Sequence, residues 1–269
     1  MRRNLLAAAQ TADSTHPGLW LDRYVDNFDK PAAEHLKALF PPVQGRARGP
    51  STRVAAGYAD FQRRLEQHLS QLAPQTLLAE ATVAGRMAVG LGGETVLETA
   101  IAIHRTWGVP YIPGSALKGL TASAARLRLE SPLTKDSTEY RLLFGEQDNA
   151  GYVTFHDALW KPFRRVERKG QVELVELTEL PLMQDVMTVH HADYYGWNGK
   201  GDPAPPADWD DPNPVPFLTA HGTYLLALTG PPGWVELAFQ ILRDALENDG
   251  IGAKTAAGYG RMNVKRHEP

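Results

Sequence analysis

Cysteine is absent from all 269 residues of the chain. That absence excludes disulfide frameworks and thiolate zinc sites, and it agrees with a reducing compartment. A long apolar run is missing too. Met1–Gln10 holds two arginines and only the short stretch Leu5–Ala9, too brief for a signal-peptide core or a bilayer span, so secretion is not expected and a cytoplasmic location is. Nor does one sign of charge dominate: the formal net charge is −3 and the isoelectric point is near 6.3. A whole-surface attraction to nucleic acid is thereby excluded, and any RNA contact has to be local. No internal repeat is present. With 43% hydrophobic and 22% charged residues, the chain can bury one good core plus a smaller appended unit.

Local basic clusters do exist: Arg46, Arg48 and Arg53; Lys161, Arg164, Arg165, Arg168 and Lys169; and Lys254, Arg261, Lys265 and Arg266. Any one of them alone reads as solvated surface. Residues 1–75 read as a helical extension. Asp29 and Pro31 open a helix to Phe40, stopped by Pro41-Pro42. Ser51 caps a longer one whose Val54, Tyr58, Phe61, Leu65, Leu69 and Leu72 recur at steps of three and four, with Pro74 at its end. From Leu77 the texture becomes β-branched, alternating and glycine-punctuated, which predicts strands over 81–91 and 97–106 around Gly92-Gly93. Tyr111–Gly114 turns into a helix capped by Ser115, with Leu117, Leu120, Ala124 and Leu127 on its buried side. A short helix ending at Gly145, a strand over 151–160 and a hairpin over 165–180, turning at Lys169-Gly170, come next. Gly196–Pro216, rich in Gly, Pro, Asp and Trp, predicts a long loop. A strand over 217–228 and a helix over 234–248 follow, with Gly250 at a left-handed helix end. The order strand, helix, strands, helix, strand over 76–269 predicts an α+β fold with a ferredoxin-like split βαβ core and an insertion around 196–216, a framework shared with RNA-recognition motifs.

The most informative segment is Gly250–Met262, GIGAKTAAGYGRM, linking the last helix to the last strand. Its glycines let the backbone approach another molecule closely, while Lys254, Thr255 and Arg261 supply donors to phosphate oxygens. A nucleotide loop is excluded on two counts. A P-loop would read Gly-Lys-Thr where this chain has Ala253-Lys254-Thr255, and such loops run from strand to helix rather than from helix to strand. Tyr259 is placed to stack on a base or to pack on the last helix. In the second motif, Tyr111–Thr121, Ser115 at a helix start with Lys118 one turn on makes a compact anion site or, more simply, a capped helix.

Together, IPGSALKG and the downstream GIGAKTAAGYGRM resemble the RAMP superfamily of CRISPR proteins. HRTWGVPYIPGSALKG, LFGEQDNAGYVTFHDA, HHADYYGW and NPVPFLTA are similar to the sixth, terminal subunit family of the Cmr (type III-B) effector. The resemblance runs from about Leu77 to the end, and Ala116 departs from the second serine usual in the family. It implies a RAMP domain that binds crRNA near its 3′ end, caps a filament of backbone subunits, and partners target RNA, the backbone RAMP subunit, the small helical subunit and the other terminal RAMP subunit. On that pattern Ser115, Lys118, Lys254, Thr255, Tyr259 and Arg261 are RNA-contact candidates. Arg164, Arg165 and Arg168 join them on the hairpin arm, with Trp197 and Trp209 of the long loop for apolar docking.

The remaining catalytic candidate is His190-His191-Ala192-Asp193. A histidine here can act as general base on a ribose 2′-hydroxyl, the chemistry of a metal-independent RAMP-type endoribonuclease. In an extended segment the two rings point apart, and no second ligand cluster accompanies them. Neither a metal nor another cofactor is expected, and the non-catalytic reading is the main one.

Overall fold

The computed structural model describes residues 15–23, 34, 36, 39, 53–72, 75–95, 99–128, 137–168, 171–189, 191–197, 199, 201–202, 205–207 and 209–267. Its elements are helices α1 (Pro17–Arg23) and α2 (Tyr58–Ser70), strands β1 (Thr76–Val83) and β2 (Tyr111–Ile112), and helices α3 (Gly114–Arg128) and α4 (Thr138–Phe144). Strands β3 (Thr154–Phe155), β4 (Ala158–Leu159), β5 (Phe163–Arg168), β6 (Gln171–Glu176) and β7 (Leu182–Val189) follow. Helix α5 (Ala192–Tyr195), strands β8 (Asn213–Ala220) and β9 (Thr223–Thr229), helix α6 (Pro232–Asn248) and strand β10 (Met262–Arg266) complete the chain.

Alternation in β1 organises the core. Leu77, Ala79, Ala81 and Val83 are buried, while Leu78 and Glu80 project from the opposite face. The central sheet has the order β10-β1-β9-β3, with every pair antiparallel. Ala79 sits opposite Leu226 and Ala81 opposite Val264, which fixes the register. On one face α6 packs over β1, β9 and β10, and α3 packs on α6 and β3. Val235, Ala238, Leu242, Ala245 and Leu246 of α6 are buried there, and Arg128 at the end of α3 pairs with Asp244 and Asp249.

The second face is covered by α2. Leu65 and Leu69, with Leu72 beyond the helix, meet Leu78, Leu225 and Ala227 of the sheet. Each fully buried leucine of this kind contributes about 1.5–3 kcal/mol. Beside this contact the Lys161 ammonium lies 2.7 Å from Glu80 and 3.1 Å from Glu66, and His267 reaches both carboxylates at 3.3 Å. Lys161 is 7% exposed. It belongs to a buried ion cluster joining α2 to the sheet, not to the basic surface expected of residues 161–169.

Several boundaries differ from expectation. The helix expected from Asp29 lies outside the described residues except for Glu34, Leu36 and Leu39, which are helical. Helix α2 starts at Tyr58 after Gly57; Ser51 is outside the described residues, and the Val54 amide donates instead to the Thr178 carbonyl at 2.9 Å. In place of strands over 81–91 and 97–106, β1 ends at Val83 and the described chain to Val109 is irregular, with bridges at Met87 and Ile103. Its amides are satisfied one by one on different neighbours: Ala84 on Arg261, Met87 on Ala220, Ala102 on Val89 and His104 on Val109. Leu127 is 81% exposed, beyond the contact that buries Leu117 and Ala124.

The strand expected over 151–160 is interrupted. β3 pairs with β9, whereas β4 turns away to pair with β2. The hairpin over 165–180 forms as β5–β6, with Arg168 opposite Gln171; Lys169-Gly170 lie outside the described residues. The long loop is shorter than expected, because β8 already begins at Asn213 and pairs with β7 from Val189↔Asn213 to Leu182↔Ala220. Pro214 and Pro216 concealed this strand, yet in a two-stranded ribbon each strand has an open edge where a proline costs no ladder bond. The strand expected over 217–228 is in fact β8 and β9, bent between Ala220 and Thr223.

Candidate nucleic-acid interface

The glycine-rich connection between α6 and β10 is held in a conformation that L-residues rarely adopt. Gly250, Gly252, Gly258 and Gly260 have φ of 81°, 93°, 88° and 75°, and Lys254 is itself left-handed at 61°. At Gly260 a side chain is excluded by the backbone: a Cβ would overlap the Ile251 carbonyl oxygen. The Ile251 amide donates to Gly260 at 2.9 Å, the Ala253 amide to Ala88 at 2.8 Å and the Gly260 amide to Arg86 at 2.8 Å. These bonds lock both ends of the loop to the segment after β1. Between them the amides of Lys254, Thr255 and Ala256 have no backbone acceptor among the described residues. Successive amides of this kind, next to an exposed lysine, form a concavity suited to an anion's oxygens.

Three side chains from distant sequence close one flank of the loop. The Tyr259 hydroxyl donates to Asp185 Oδ2 at 2.7 Å, and the Arg86 guanidinium pairs with the same oxygen at 2.7 Å. The Tyr259 ring lies 6.0 Å from Phe217, over which Lys254 Nζ sits at 5.9 Å. Tyr259 therefore packs on the β7–β8 ribbon rather than on the last helix. Partial burial pushes the Asp185 carboxyl up, but the Tyr259 hydroxyl, the Val186 amide and Arg86 together hold it below the usual carboxylate range. Burial and the Asp185 carboxylate push the Tyr259 phenol up.

The start of α3 is built differently from expectation. The helix begins at Gly114, whose amide donates to Asp157 Oδ1 at 2.7 Å, so the cap is Asp157 and Ser115 is exposed in the first turn. The interruption between β3 and β4 brings this carboxylate to the helix, a common use of a break in pairing. Consequently the helix end expected to receive an anion already carries one. Lys118 is half-buried one turn further. His156 Nε2 lies 2.9 Å from Thr229 Oγ1. Burial lowers the pKa of His156 and of His104, against the pull of Asp157 in both cases.

Backbone bonds connect the two motifs. Ala253 bonds Ala88, Val89 bonds Ala102, and Ala102 accepts from Tyr111 at 3.2 Å, one residue before the turn into α3. The loop and the helix start are thereby joined across a continuous strip of backbone. Arg164, Arg165 and Arg168 are not part of this strip. They lie on β5, which pairs with β6 alone, and Arg164 is exposed. Arg261 and Lys265 are exposed, and Arg266 pairs with Glu236 at 2.8 Å. Arg46, Arg48 and Lys169 lie outside the described residues.

His191 Nδ1 lies 2.6 Å from Asp210 Oδ2, and His190 is outside the described residues. Among the described residues no group of three His, Cys, Asp or Glu is placed to hold a metal, and no helix is long and apolar enough to cross a membrane. Arg86, Asp157, Asp185 and Phe217 went unrecognised in the sequence as parts of the site. Asp157 and Phe217 carried a signal, through their places in LFGEQDNAGYVTFHDA and NPVPFLTA.

A sequence model of the RAMP superfamily matches residues 80–263. The chain is 32% identical, over 220 residues, to the CRISPR system Cmr subunit Cmr6 of Pyrococcus furiosus, a match covering 66% of this chain and 64% of that protein. It thus spans less than two thirds of that relative's length. A chain in the cryo-EM structure of the type III-B Cmr-beta bound to cognate target RNA superposes with a TM-score of 0.54 at 20% identity, covering 79% of this chain and 66% of that one. The likeness to that structure is one of fold. The crystal structure of Cmr6 from Pyrococcus furiosus is 28% identical with a TM-score of 0.40, over 72% of this chain and 100% of that one.

Proposed function

Because this chain belongs to the RAMP superfamily, we propose that it is a non-catalytic, RNA-binding subunit of a cytoplasmic type III-B (Cmr) effector. In this reading its sheet and helices α3 and α6 are a ferredoxin-like domain, residues 1–75 are a helical extension, and the chain holds crRNA near the 3′ end in the sixth, terminal position. The likeness to Cmr6 supports the assembly. The observation that carries RNA binding is the loop itself: three successive amides without backbone acceptors, beside Lys254 and Arg261, on a backbone fixed at both ends. Such a clamp grips phosphates and ignores bases. Helix α2 over the second sheet face supports the same view, since aromatic stacking on an open sheet would need that face clear. Ser115 and Lys118 would meet the strand at the other side of the strip, and Arg164, Arg165 and Arg168 would meet target RNA. The backbone RAMP subunit, the small helical subunit and the other terminal subunit are the proposed protein partners.

The test is a filter-binding series with single-stranded RNAs of unrelated sequence. Lys254→Ala with Arg261→Ala should weaken all of them alike and reduce the slope of log affinity against log salt by about 0.7 for each phosphate that is no longer neutralised. Unchanged affinity and slope would remove the loop from the RNA site. A second reading rests on the His191–Asp210 pair, which orients the ring as a general base requires. Chelator-resistant cleavage of repeat RNA by the wild-type chain, abolished in His191→Ala, would favour the endoribonuclease.

A further inference from the structure

The free end of the β7–β8 ribbon combines exposed aromatic rings with carboxylates. Between His190 and Pro212 there are five aspartates and one lysine. Trp209 is 86% exposed, Tyr195 75% and Trp197 47%. The His191–Asp210 contact ties the two limbs together just beyond the last ribbon pair, Val189↔Asn213. The Ala207 amide also donates to Asp210 Oδ2, at 3.1 Å, and the Tyr195 amide bonds the His191 carbonyl at 3.1 Å. Large rings are thus held at one end of the ribbon instead of being folded inward. Asp202 and Asp211 are exposed beside them, with no ion pair among the described residues.

Exposed aromatic rings alone would suit a nucleic acid base or an apolar protein surface equally. The carboxylates decide between these. They repel phosphates, whereas a guanidinium stacks on an indole face while donating to a neighbouring carboxylate. We propose that this ribbon end is a docking surface for a basic segment of another protein, one that presents arginines flanked by apolar residues. This surface stands apart from the RNA clamp: the two are separated along the ribbon, and the proposal does not depend on the clamp's ligand.

The test uses the full chain and two short labelled peptides, one of arginine, leucine and proline, the other with glutamate replacing each arginine. The arginine peptide should bind and the glutamate peptide should not. Trp209→Ala with Tyr195→Ala, and separately Asp202→Lys with Asp211→Lys, should each weaken the arginine peptide about tenfold or more, as removal of a central anchor does. Single-stranded RNA, measured on the same samples, should bind the aromatic variant as it binds the wild type. Failure of the arginine peptide to bind, equal binding of the glutamate peptide, or full binding by either variant would overturn the proposal. So would loss of RNA binding in the aromatic variant, which would make the surface a base-stacking one. If wild-type chain binds peptide but no RNA, the clamp reading fails and this one stands.

Discussion

The two antiparallel ribbons, β5–β6 and β7–β8, differ most in what roots them. The first leaves the body beside Lys161, whose amide donates to Thr223 at 2.7 Å and whose ammonium is buried between Glu66 and Glu80. Arg63 of α2 covers its Phe163 at 4.9 Å, and Leu174 further out is 67% exposed. The second ribbon is rooted in the core: Leu182, Phe217, Leu218 and Ala220 are buried, and the Arg86–Asp185–Tyr259 clasp holds its side. Similar ladders therefore stand on unlike foundations, one ionic and one apolar. An ionic foundation is sensitive to loss of a single partner, and an apolar one responds to the packing around it.

The largest effect that separates them should come from Lys161. Replacing it by alanine leaves Glu66 and Glu80 with only His267 as a basic neighbour, and chemical denaturation should show a loss of about 3–5 kcal/mol; methionine at the same place also lacks the charge and should recover only the part due to packing of the stem. Full recovery by methionine would show that the side chain contributes packing alone. Acid should act next, and on the second ribbon. His221, at its root, has its pKa lowered by burial and by Arg86, and His156 by burial. A histidine whose folded pKa is lowered is matched by the unfolded state at high pH. Below about 6.5 the unfolded chain takes protons first, so stability falls with pH until the folded pKa is reached. The lowered carboxyl of Asp185 works in a second window, keeping its contribution above about pH 4 and losing it as pH falls through the folded value. Melting temperature should decline between pH 7.5 and 5, and His221→Gln should flatten the decline.

Tyr259→Phe sharpens the comparison at lower cost. It removes the hydroxyl from Asp185 and keeps the ring on Phe217, so stability should drop by about 1 kcal/mol with RNA affinity retained if the ring only props the ribbon. A loss of RNA affinity without loss of stability would return Tyr259 to a direct contact. The smallest stability change belongs to Arg164→Ala, Arg165→Ala and Arg168→Ala together. Melting should shift by less than it does in Tyr259→Phe, while target-RNA capture by the assembled particle should fall more than guide retention. An equal fall in both would place the arm at the guide.

What could be read from the sequence follows the range of the forces involved. Helix α6 and the hairpin β5–β6 were visible because their signals are local: apolar spacing, and a Lys-Gly turn between alternating runs. The positive φ at Gly250 was legible for the same reason. Residues 84–109 were not, since their apolar character comes from burial against other segments and their amides find scattered acceptors, Ala84 on Arg261 and Met87 on Ala220 among the distant ones. Asp157 supplanted Ser115 as the cap across 43 positions, an exchange that no local pattern announces. Arg86 and Asp185, 99 positions apart by their numbering, meet only because the segment after β1 and the second ribbon are neighbours through the Met87↔Ala220 bridge.

The bend between β8 and β9 has a mechanical consequence. Gly222, with φ of 89°, turns the chain so sharply that a Cβ there would lie 2.6 Å from Trp160 Nε1, and Trp160 in turn stacks on Tyr58 of α2 at 6.2 Å. The ribbon's inner half is held in the core, so its free part is a cantilever of about four residue pairs, roughly 13 Å by the strand rise, and β8 runs through the bend into β9 in the middle of the sheet. A load applied at its free end meets the buried Leu182, Phe217 and Leu218 and the Arg86–Asp185–Tyr259 contacts before it reaches the bend, so the outer pairs deflect first.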